Sequence, residues 1–573
     1  MVWDLSKFFN NSDELDSFCS NLQSRAGDFN TKFNKNLSTL NSNEFKNAIS
    51  EYEQILAGIG KVMSYAYLKF AKDTSQGAFL AKYEEICTKI EELILFFEIE
   101  FNELSNDLQD KFIARAPKFS YYLQNLAKNR SHQLSFAEER VLLRTANTGA
   151  SAFSRLFDES MARARFEFRG QSLKEEEILS KLSSSDRDVR RDAAQSLSSG
   201  LEPMQHLLTY IYNMIKTDLK NSCELRGYDF GESSRHLSNQ IEKPSVDALI
   251  KASENSFDLV AKFYDKKREI LGFEMLYDYD RYAPLGGDES MGYEEAKDIV
   301  IKAFSQFSPL FGELALRAFN ENWCDVYPDK NKQAGAFSHS ASSEVHPFVL
   351  LNFTNRRRDL FTLAHELGHS IHQYLSYSVG YLSSHTPLTT AETASVFCEM
   401  LVFEYVKNNL PKKQKTALLA GKIEDIFATL YRQINFTTFE RRVHEFEGEI
   451  SSDELNQIWL EESKKMFGDS LILNDYYKIW WSYIPHFIHS PFYCYAYSYA
   501  QLLVLALFGL YKSGKCENFV EIYTKFLSLG GSKSPKELVG MFGFDIDDES
   551  FWSVGIAEVA HLVDEFVKGD NNG

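Results

Sequence analysis

The stretch FTLAHELGHSIHQYLS, residues 361–376, contains three histidines, His365, His369 and His372, and one glutamate, Glu366. Its apolar residues recur at every fourth position, which predicts a helix with one buried stripe. On that helix the rings of His365 and His369 lie one turn apart on one face and can both reach a zinc ion at about 2.1 Å. Glu366 is rotated by about 100° from His365, beside the metal, where a base acting on bound water belongs.

His372 lies seven residues after His365, about 10 Å along the helix axis, so one straight helix cannot bring all three rings to one ion. A metal held by His369 and His372 is an alternative, although it leaves Glu366 without a role. The other alternative is an ordinary helix with histidines on its surface or in its core, because chance matches to this five-residue pattern are common. The pattern predicts zinc at His365 and His369 and requires a further ligand.

A catalytic zinc ion usually takes three protein ligands and keeps one position for water. The segment PLTTAETASVFCEMLVFEYV, which begins at residue 387, predicts a second helix that could present Glu392 to the metal. Glu392 also fits a capping box with Thr389 as the N-cap residue, and this interpretation competes for the same carboxylate. His385 and Glu399 are rival ligands, and Glu399 could instead accept a hydrogen bond from the ring N–H of a ligand histidine.

The chemistry of this residue set indicates a hydrolase. Two neutral histidines and one carboxylate leave a net charge of +1 on a zinc site. Zinc in such a site lowers the pKa of its bound water to about 7, and Glu366 can take the proton as the water attacks a carbonyl. The reaction class that these residues predict is hydrolysis of an amide bond.

Composition limits the classes of partner and compartment. The chain has 573 residues and a formal net charge of −19, which argues against a nucleic acid or an anionic membrane surface as the main partner. Its 7 cysteines include no CxxC pair, which is typical of free thiols in a reducing compartment. The first residues show neither a basic region nor an apolar run typical of a secretory signal. We therefore expect a cytoplasmic protein that does not act at membranes.

The distribution of polar and apolar residues predicts long helices. Apolar residues from Ile49 to Met63 recur at steps of three and four, and proline is rare, with 12 in the whole chain. The polar, serine-rich stretch 180–200 is the best candidate boundary. We place the division near residue 195, which gives a helical N-terminal domain over 1–195 and a catalytic domain over 196–573.

A change of composition precedes the HExxH stretch. Glycine, proline and β-branched residues cluster between residues 273 and 353, where 336–339 and 347–353 predict short strands separated by a polar loop. The helical pattern returns after residue 358 and continues to the end. The expected architecture is mostly α, with one small sheet just before the histidine-bearing helix.

Several segments in this order resemble one family. They are LAHELGHSIHQ, AETASVFCE, GAFSHSASSEVHPFVLLNF, LYRQINFTTFE and IPHFIHSPFYCYAYSYA. Together they resemble oligoendopeptidase F, a family in the thimet oligopeptidase and neurolysin group of zinc metallopeptidases. The resemblance covers roughly residues 200–510. It implies that His365, His369 and Glu392 hold one Zn²⁺ per chain, that Glu366 is the general base, and that the capping box at Glu392 is not formed.

The resemblance also implies a source of transition-state stabilisation. In the family a histidine and nearby tyrosines face the zinc and donate to the oxyanion, as such a developing charge requires. In the segment 484–500 His486 is the first choice and His489 its competitor. Among the alternating tyrosines we rank Tyr497 first, then Tyr495 and Tyr493. The alternative for each tyrosine is a place in an aromatic core.

A further implication concerns the fold and the substrate. The segment 347–353 resembles the edge strand that pairs with a substrate backbone, which makes Pro347, Phe348, Val349 and Leu350 candidate substrate-binding residues. The family fold is of the zincin, gluzincin type, with two mostly helical halves around a deep channel and a small sheet beside the zinc helix. Such a channel admits short unfolded peptides.

The leading interpretation is a monomeric zinc-dependent endopeptidase that hydrolyses internal bonds of short unfolded peptides through a zinc-bound water activated by Glu366. One alternative is a zinc carboxypeptidase or dipeptidyl carboxypeptidase on a similar helical fold. Another is a helical binding protein without activity, although a purely structural metal site has no need of Glu366.

Overall fold

The computed structural model describes residues 3–287 and 289–569, and most of these residues are helical. The α-helices up to residue 271 are α1 Ser12–Phe33, α2 Ser42–Lys72, α3 Gly77–Ile94, α4 Phe96–Glu103, α5 Asn106–Arg115, α6 Ser120–Lys128, α7 Phe136–Thr145, α8 Ala150–Arg163, α9 Glu175–Lys181, α10 Arg187–Leu201, α11 Gln205–Arg226, α12 Ser233–Ser238, α13 Lys243–Glu254 and α14 Asp258–Leu271. The later α-helices are α15 Tyr293–Phe307, α16 Pro309–Asn320, α17 Arg357–Ser376, α18 Tyr381–Ser384, α19 Leu388–Ala391, α20 Thr393–Asn409, α21 Lys412–Thr429, α22 Tyr431–Glu445, α23 Ser452–Phe467, α24 His486–His489, α25 Tyr495–Ser513, α26 Phe519–Ser528, α27 Pro535–Gly540 and α28 Glu549–Gly569.

The strands are short and form two small sheets. They are β1 Phe166–Phe168, β2 Gln171–Leu173, β3 Cys324–Asp325, β4 Phe337–His339 and β5 Phe348–Leu350. β1 and β2 form an antiparallel hairpin. In the other sheet the order is β3-β5-β4, with β5 parallel to β3 and antiparallel to β4. The expected strands on either side of the polar loop are therefore confirmed.

The strand order corrects the predicted substrate-binding segment. β5 has a hydrogen-bonded neighbour on both sides and is not an edge strand. The side chains of Phe348, Val349 and Leu350 are fully buried, and Pro347 is buried as well. The prediction that these four residues bind substrate is wrong, because β5 has no free edge to pair with a peptide. The edge strands of this sheet are β3 and β4, and β4 is the one that lies against α17.

Helix α2 illustrates how the sequence pattern becomes structure. Asn41 caps its first turn, and the Glu44 side chain completes a capping box with the Asn41 backbone. Ile49, Tyr52 and Ile59 from the predicted stripe are buried along one face of this helix. The stripe predicted a helix because these side chains need a common apolar neighbour, which the surrounding helices provide.

The chain divides into two compact units, each made of three stretches. The first contains Met1–Arg130, Asp288–Asn408 and Cys516–Gly543, and the second contains Ser131–Gly287, Asn409–Lys515 and Phe544–Gly573. This division differs from the predicted boundary near residue 195, which lies inside α10. Ala193, Ala194, Leu197 and Leu201 on α10 are buried in the core of the second unit. Most serines of this stretch lie in the loop before α10 and on α10 itself, where Ser196 and Ser198 are buried.

The small sheet of the first unit lies directly against α17. The Ser338 hydroxyl on β4 is 2.9 Å from the Ser370 hydroxyl and donates to Gln373 Oε1 at 2.8 Å. In return, Gln373 Nε2 donates to the Ser338 carbonyl at 3.1 Å. The expected placement of a sheet beside the histidine-bearing helix is confirmed.

The second unit has its own aromatic core and buried charges. Tyr212, Trp481 and Phe487 stack within it, with Tyr212 and Phe487 centroids 5.8 Å apart. The buried Asp280 carboxylate accepts hydrogen bonds from the guanidinium groups of Arg187 and Arg190.

No helix in the described part of the chain is long and apolar enough to cross a bilayer.

Candidate metal centre

Helix α17 holds two histidines on a face that opens into a pocket. Its apolar stripe at Leu363, Leu367 and Ile371 is buried, which fixes the rotation of the helix. The rings of His365 and His369 are then neighbours, with centroids 4.9 Å apart. The face predicted from the four-residue spacing is therefore formed.

Glu392 completes the cluster from the other side. It lies in the turn between α19 and α20, and its Oε2 is 3.2 Å from His365 Nε2 and 3.3 Å from His369 Nε2. Helix α19 begins after Pro387, so Thr389 lies within it and is not an N-cap residue. The capping-box alternative for Glu392 is wrong, and the structure brings together the predicted ligand set.

A glycine allows the two helices to cross closely enough for this arrangement. A Cβ atom on Gly368 would lie 2.6 Å from the Ala394 carbonyl oxygen and 2.6 Å from Ser395 Cα, both on α20. Real Cβ atoms do not approach backbone atoms so closely, because steric repulsion is steep at that distance. Gly368 thus lets the start of α20, and with it Glu392, approach α17. The local sequence gives no sign of this crossing, because the contact depends on a residue more than 20 positions away.

Two side chains of α20 orient the cluster. The Ser395 hydroxyl donates to Glu392 Oε2 at 2.6 Å, which fixes the carboxylate of the residue just before the start of α20. Glu399 Oε2 lies 3.3 Å from His365 Nδ1, so the outer nitrogen of this ring has a carboxylate partner. Glu399 occupies the position expected of a residue that orients a ligand histidine. It does not supply one of the three converging ligand atoms.

The Ser395→Ala variant tests the orienting role of the hydroxyl. Residues that hold metal ligands typically contribute a factor of about 10–100 to metal affinity. We expect Ser395→Ala to weaken Zn²⁺ binding by a factor in that range, measured by competition with a chromogenic chelator. Ser378→Ala, at an exposed serine after α17, serves as the control and should bind Zn²⁺ like the wild type. Equal affinities for both variants and the wild type would contradict the orienting role.

The geometry of the three ligand atoms fits a tetrahedral zinc ion. Bonds of about 2.0–2.1 Å at tetrahedral angles place neighbouring ligand atoms about 3.3 Å apart. The two separations from Glu392 Oε2 to the imidazole Nε2 atoms are 3.2 and 3.3 Å. All three ligand atoms lie within 4.8 Å of one another. Two nitrogen donors and one carboxylate oxygen also match the donor set of catalytic zinc sites.

The electrostatics of the cluster favour a bound cation. Burial favours the neutral imidazole of His365, but the carboxylates of Glu392 and Glu399 outweigh burial and raise its pKa to about 10. Burial also opposes ionisation of Glu392, yet hydrogen bonds with His365 and His369 hold the pKa of this carboxyl well below its usual range. Without a metal, a proton on His365 balances the carboxylates, and a metal ion competes with that proton.

Glu366 lies beside the cluster and is largely buried. Burial raises the pKa of its carboxyl, and the nearby His365 and His369 partly offset that rise. It lines a pocket of about 430 Å³ together with His365, His369 and Glu392. The predicted base and the predicted ligands thus share one cavity.

Two other histidines near the cluster are not among its converging ligands. His372 is buried and lines the same pocket, and burial lowers its pKa to about 3, so its ring is neutral. It lies outside the group of converging ligand atoms, as helix geometry predicted. The His385 ring packs against Tyr381, and its Nδ1 is 3.4 Å from the Ser384 hydroxyl.

The histidine and tyrosines predicted to donate to the oxyanion lie in the second unit. His486 Nε2 is 3.3 Å from the Tyr497 hydroxyl, and the His486 and Tyr493 rings stack with centroids 6.3 Å apart. The Tyr493 and Tyr497 centroids are 5.0 Å apart, so these residues form one His486–Tyr493–Tyr497 cluster. His489 instead pairs with Asp158 at 2.8 Å.

Tyr495 does not belong to that cluster. Its side chain is 0% exposed, and its hydroxyl is 2.8 Å from His236 Nδ1 and accepts a hydrogen bond from Asn239 Nδ2 at 2.9 Å. The predicted catalytic role of Tyr495 is wrong, because a fully buried hydroxyl with two protein partners cannot reach a substrate. Tyr497, in contrast, is 38% exposed. Residues two apart on a helix point to opposite faces, which explains why Tyr495 and Tyr497 differ in exposure.

Comparisons with known proteins agree with this fold. An Oligoendopeptidase F homolog from Borreliella burgdorferi is 28% identical over 572 residues, covering 95% of this chain and 94% of that protein. A solved protein from Chlamydophila abortus has a TM-score of 0.90 at 22% identity over 99% of this chain and 98% of that one. Oligoendopeptidase-F from Enterococcus faecium has a TM-score of 0.71 at 21% identity, with 98% and 100% covered. These likenesses confirm the mostly helical fold.

The family comparison is the most extensive. Residues 100–166 match a family described as Oligopeptidase F, and residues 180–557 match one described as Peptidase family M3. The resemblance inferred from the sequence motifs is thereby confirmed. Because the second match spans more than half of the residues, the chain belongs to peptidase family M3.

Proposed function

We propose that the chain is a zinc-dependent oligoendopeptidase that hydrolyses internal bonds of short, unfolded peptides. The observation that carries the proposal is the convergence of His365, His369 and Glu392 with Glu366 beside them in one pocket. Membership of the peptidase family defines the chain as a metallopeptidase. The relatives named oligoendopeptidase F support the choice of internal bonds.

His365, His369 and Glu392 would hold the zinc ion through two nitrogens and one carboxylate oxygen. A bound Zn²⁺ supplies Lewis-acid chemistry, since it polarises a carbonyl and lowers the pKa of a coordinated water to about 7. Glu399 and Ser395 keep the ligands oriented through their hydrogen bonds to His365 and Glu392. The ligand geometry is therefore prepared before a metal or a substrate binds.

Glu366 would act as the general base. Its carboxylate accepts the proton from the attacking water and afterwards donates it to the amine of the leaving peptide. Burial favours this role, because a desolvated carboxylate holds a proton more firmly than one in water. The same residue thus performs both proton transfers of the hydrolysis.

The His486–Tyr493–Tyr497 cluster is our candidate for stabilising the oxyanion. Its support is chemical: an imidazole and an exposed phenol hydroxyl lie 3.3 Å apart and can both donate to a developing negative charge. We assign the direct contact to Tyr497 and His486. Tyr493 packs against both rings and orients them.

β4 is our candidate for the strand that pairs with the substrate backbone. It lies at the edge of the β3-β5-β4 order, and its residues Phe337 and Ser338 line the pocket that contains the cluster. Gln373 forms hydrogen bonds with the carbonyl and the hydroxyl of Ser338, which fixes the position of β4 relative to α17. An extended peptide lying along β4 would pass the metal centre with its carbonyls alternately exposed.

A peptide length series blocked at both termini tests this function against exopeptidase activity. The zinc-loaded chain is expected to cut acetylated, amidated peptides at internal bonds, with the products identified by mass spectrometry. A folded protein of the same composition serves as the control and should remain intact. Cleavage that occurs only when the C-terminal carboxylate is free would instead identify a carboxypeptidase, and no cleavage by the zinc-loaded chain would identify a binding protein.

A further inference from the structure

A strained residue lies in the turn that carries the His486–Tyr493–Tyr497 cluster. Phe492 has a φ of +57°, in the left-handed region that a bulky side chain rarely adopts. It stands between α24, which begins at His486, and α25, which contains Tyr497. Strain of this kind persists only where the surrounding structure enforces it, and it concentrates at functional sites.

Glu440 of α22 contacts the backbone of this strained residue. The Phe492 backbone N–H donates to Glu440 Oε1 at 3.0 Å, and the Glu440 side chain is 0% exposed. The other carboxyl oxygen, Oε2, has no hydrogen-bond partner among the described residues. The hydrogen bond that this carboxyl makes among the described residues is therefore the one to the Phe492 amide.

The ring of Phe492 is fixed as well. It packs against the His444 ring with centroids 4.7 Å apart, and a Cβ atom on Gly231 would lie 3.2 Å from it. The flanking residues are held by Arg235, whose Nη2 donates to the Pro491 carbonyl at 3.4 Å and whose guanidinium lies 5.5 Å from the Tyr493 ring centroid. The turn is thus locked on both sides of Phe492.

The direction of the chain at Phe492 decides how His486 and Tyr497 meet. If Phe492 relaxed to an ordinary negative φ, α25 would leave the turn in another direction. The 3.3 Å approach of His486 Nε2 to the Tyr497 hydroxyl would then be lost. Displacements of about 1 Å in catalytic groups can lower rates by about 10²-fold. A contact remote from any substrate can therefore control the rate.

We infer that Glu440 is a positioning residue, which holds Phe492 in the left-handed conformation and so sets the geometry of His486 and Tyr497. This inference rests on the proposed function, in which that pair donates to the oxyanion. Glu440 acts only through Phe492 and touches no substrate. The contact it provides needs a hydrogen-bond acceptor but no negative charge.

The charge state of Glu440 supports the choice of a matched control. Burial raises the pKa of its carboxyl to about 8, with the Phe492 N–H and Arg235 lowering it and Glu232 raising it. At neutral pH the group is mostly uncharged. Glutamine is therefore close to it in shape and charge and retains an oxygen that can accept from Phe492.

The first test compares Glu440→Gln with Glu440→Ala in the zinc-loaded full chain, using an internally quenched peptide blocked at both ends. Glu440→Ala is expected to lower kcat about 10- to 100-fold with KM and zinc content unchanged, and Glu440→Gln to stay within about threefold of the wild type. Full kcat in Glu440→Ala, or equal losses in both variants, would overturn the inference. An inactive wild type would overturn the proposed function and this inference together, whereas an active one isolates the role of Glu440.

A second comparison applies if Glu440→Ala does not fold. Phe492→Gly and Phe492→Ala both remove the ring, but only glycine adopts a positive φ without steric cost. We expect Phe492→Gly to keep a kcat at least about threefold above that of Phe492→Ala, as the left-handed cost of an alanine predicts. Equal kcat values in the two variants would show that the backbone conformation at this position does not set the rate.

Discussion

The Glu366→Gln variant is expected to bind zinc like the wild type and to lose about 10²- to 10⁴-fold in kcat, because general-base catalysis contributes on that scale. Glutamine keeps the shape of the side chain but cannot take a proton from water. Zinc content by mass spectrometry and hydrolysis of a doubly blocked peptide would be measured on the same preparation.

The control for this variant is Glu344→Gln. Glu344 is an exposed residue of the first unit that forms a surface ion pair with Lys61, so its loss should leave kcat unchanged. A Glu366→Gln variant with full kcat would exclude Glu366 as the base. A variant that had also lost its zinc would show instead that Glu366 supports the metal site.

The Gly368→Ala variant is expected to lose most of its metal affinity. The added Cβ would meet backbone atoms of Ala394 and Ser395 at 2.6 Å, and a backbone cannot yield as a flexible side chain can. Helix α20 must then move away and take Glu392 with it. Overpacking of this kind costs about 1–3 kcal/mol in the free energy of unfolding.

The measurement is a zinc titration of Gly368→Ala beside a thermal unfolding curve, with Gly421→Ala as the control. Gly421 lies in α21, and a Cβ there meets nothing within 4 Å. Alanine in a helix interior stabilises by about 0.5–1 kcal/mol relative to glycine, so the control should be at least as stable as the wild type. Normal zinc affinity in Gly368→Ala would contradict the role assigned to the helix crossing.

The convergence of His365 and His369 was predictable because their positions follow from local geometry. Two histidines four residues apart share a helix face, and the buried leucines of α17 set that face. Glu392 was not decided by local physics, since it fitted a capping box equally well. The resemblance identified it as a ligand, and the break between α19 and α20 shows why the cap does not form.

Other features depend on contacts that a single sequence does not display. Gly368 matters only because α20 crosses α17 at that residue. The strand order places β3 and β4 at the edges and β5, which the sequence indicated as the edge strand, in the centre. The local sequence does not distinguish Tyr495 from Tyr497, but in the fold His236 and Asn239 form hydrogen bonds with the hydroxyl of Tyr495. The predicted boundary at residue 195 failed because polar residues on the outer face of α10 resemble a linker in composition alone.

The most direct test of the metal centre is a zinc titration of the metal-free chain, with hydrolysis of a doubly blocked, internally quenched peptide as the readout. Activity is expected to start near zero, to rise in proportion to added zinc and to level off at one ion per chain. His369→Ala, which removes one of the three converging ligands, should show no such rise at the same zinc concentrations. Full hydrolysis in the metal-free chain, or a wild-type curve reproduced by His369→Ala, would contradict the account.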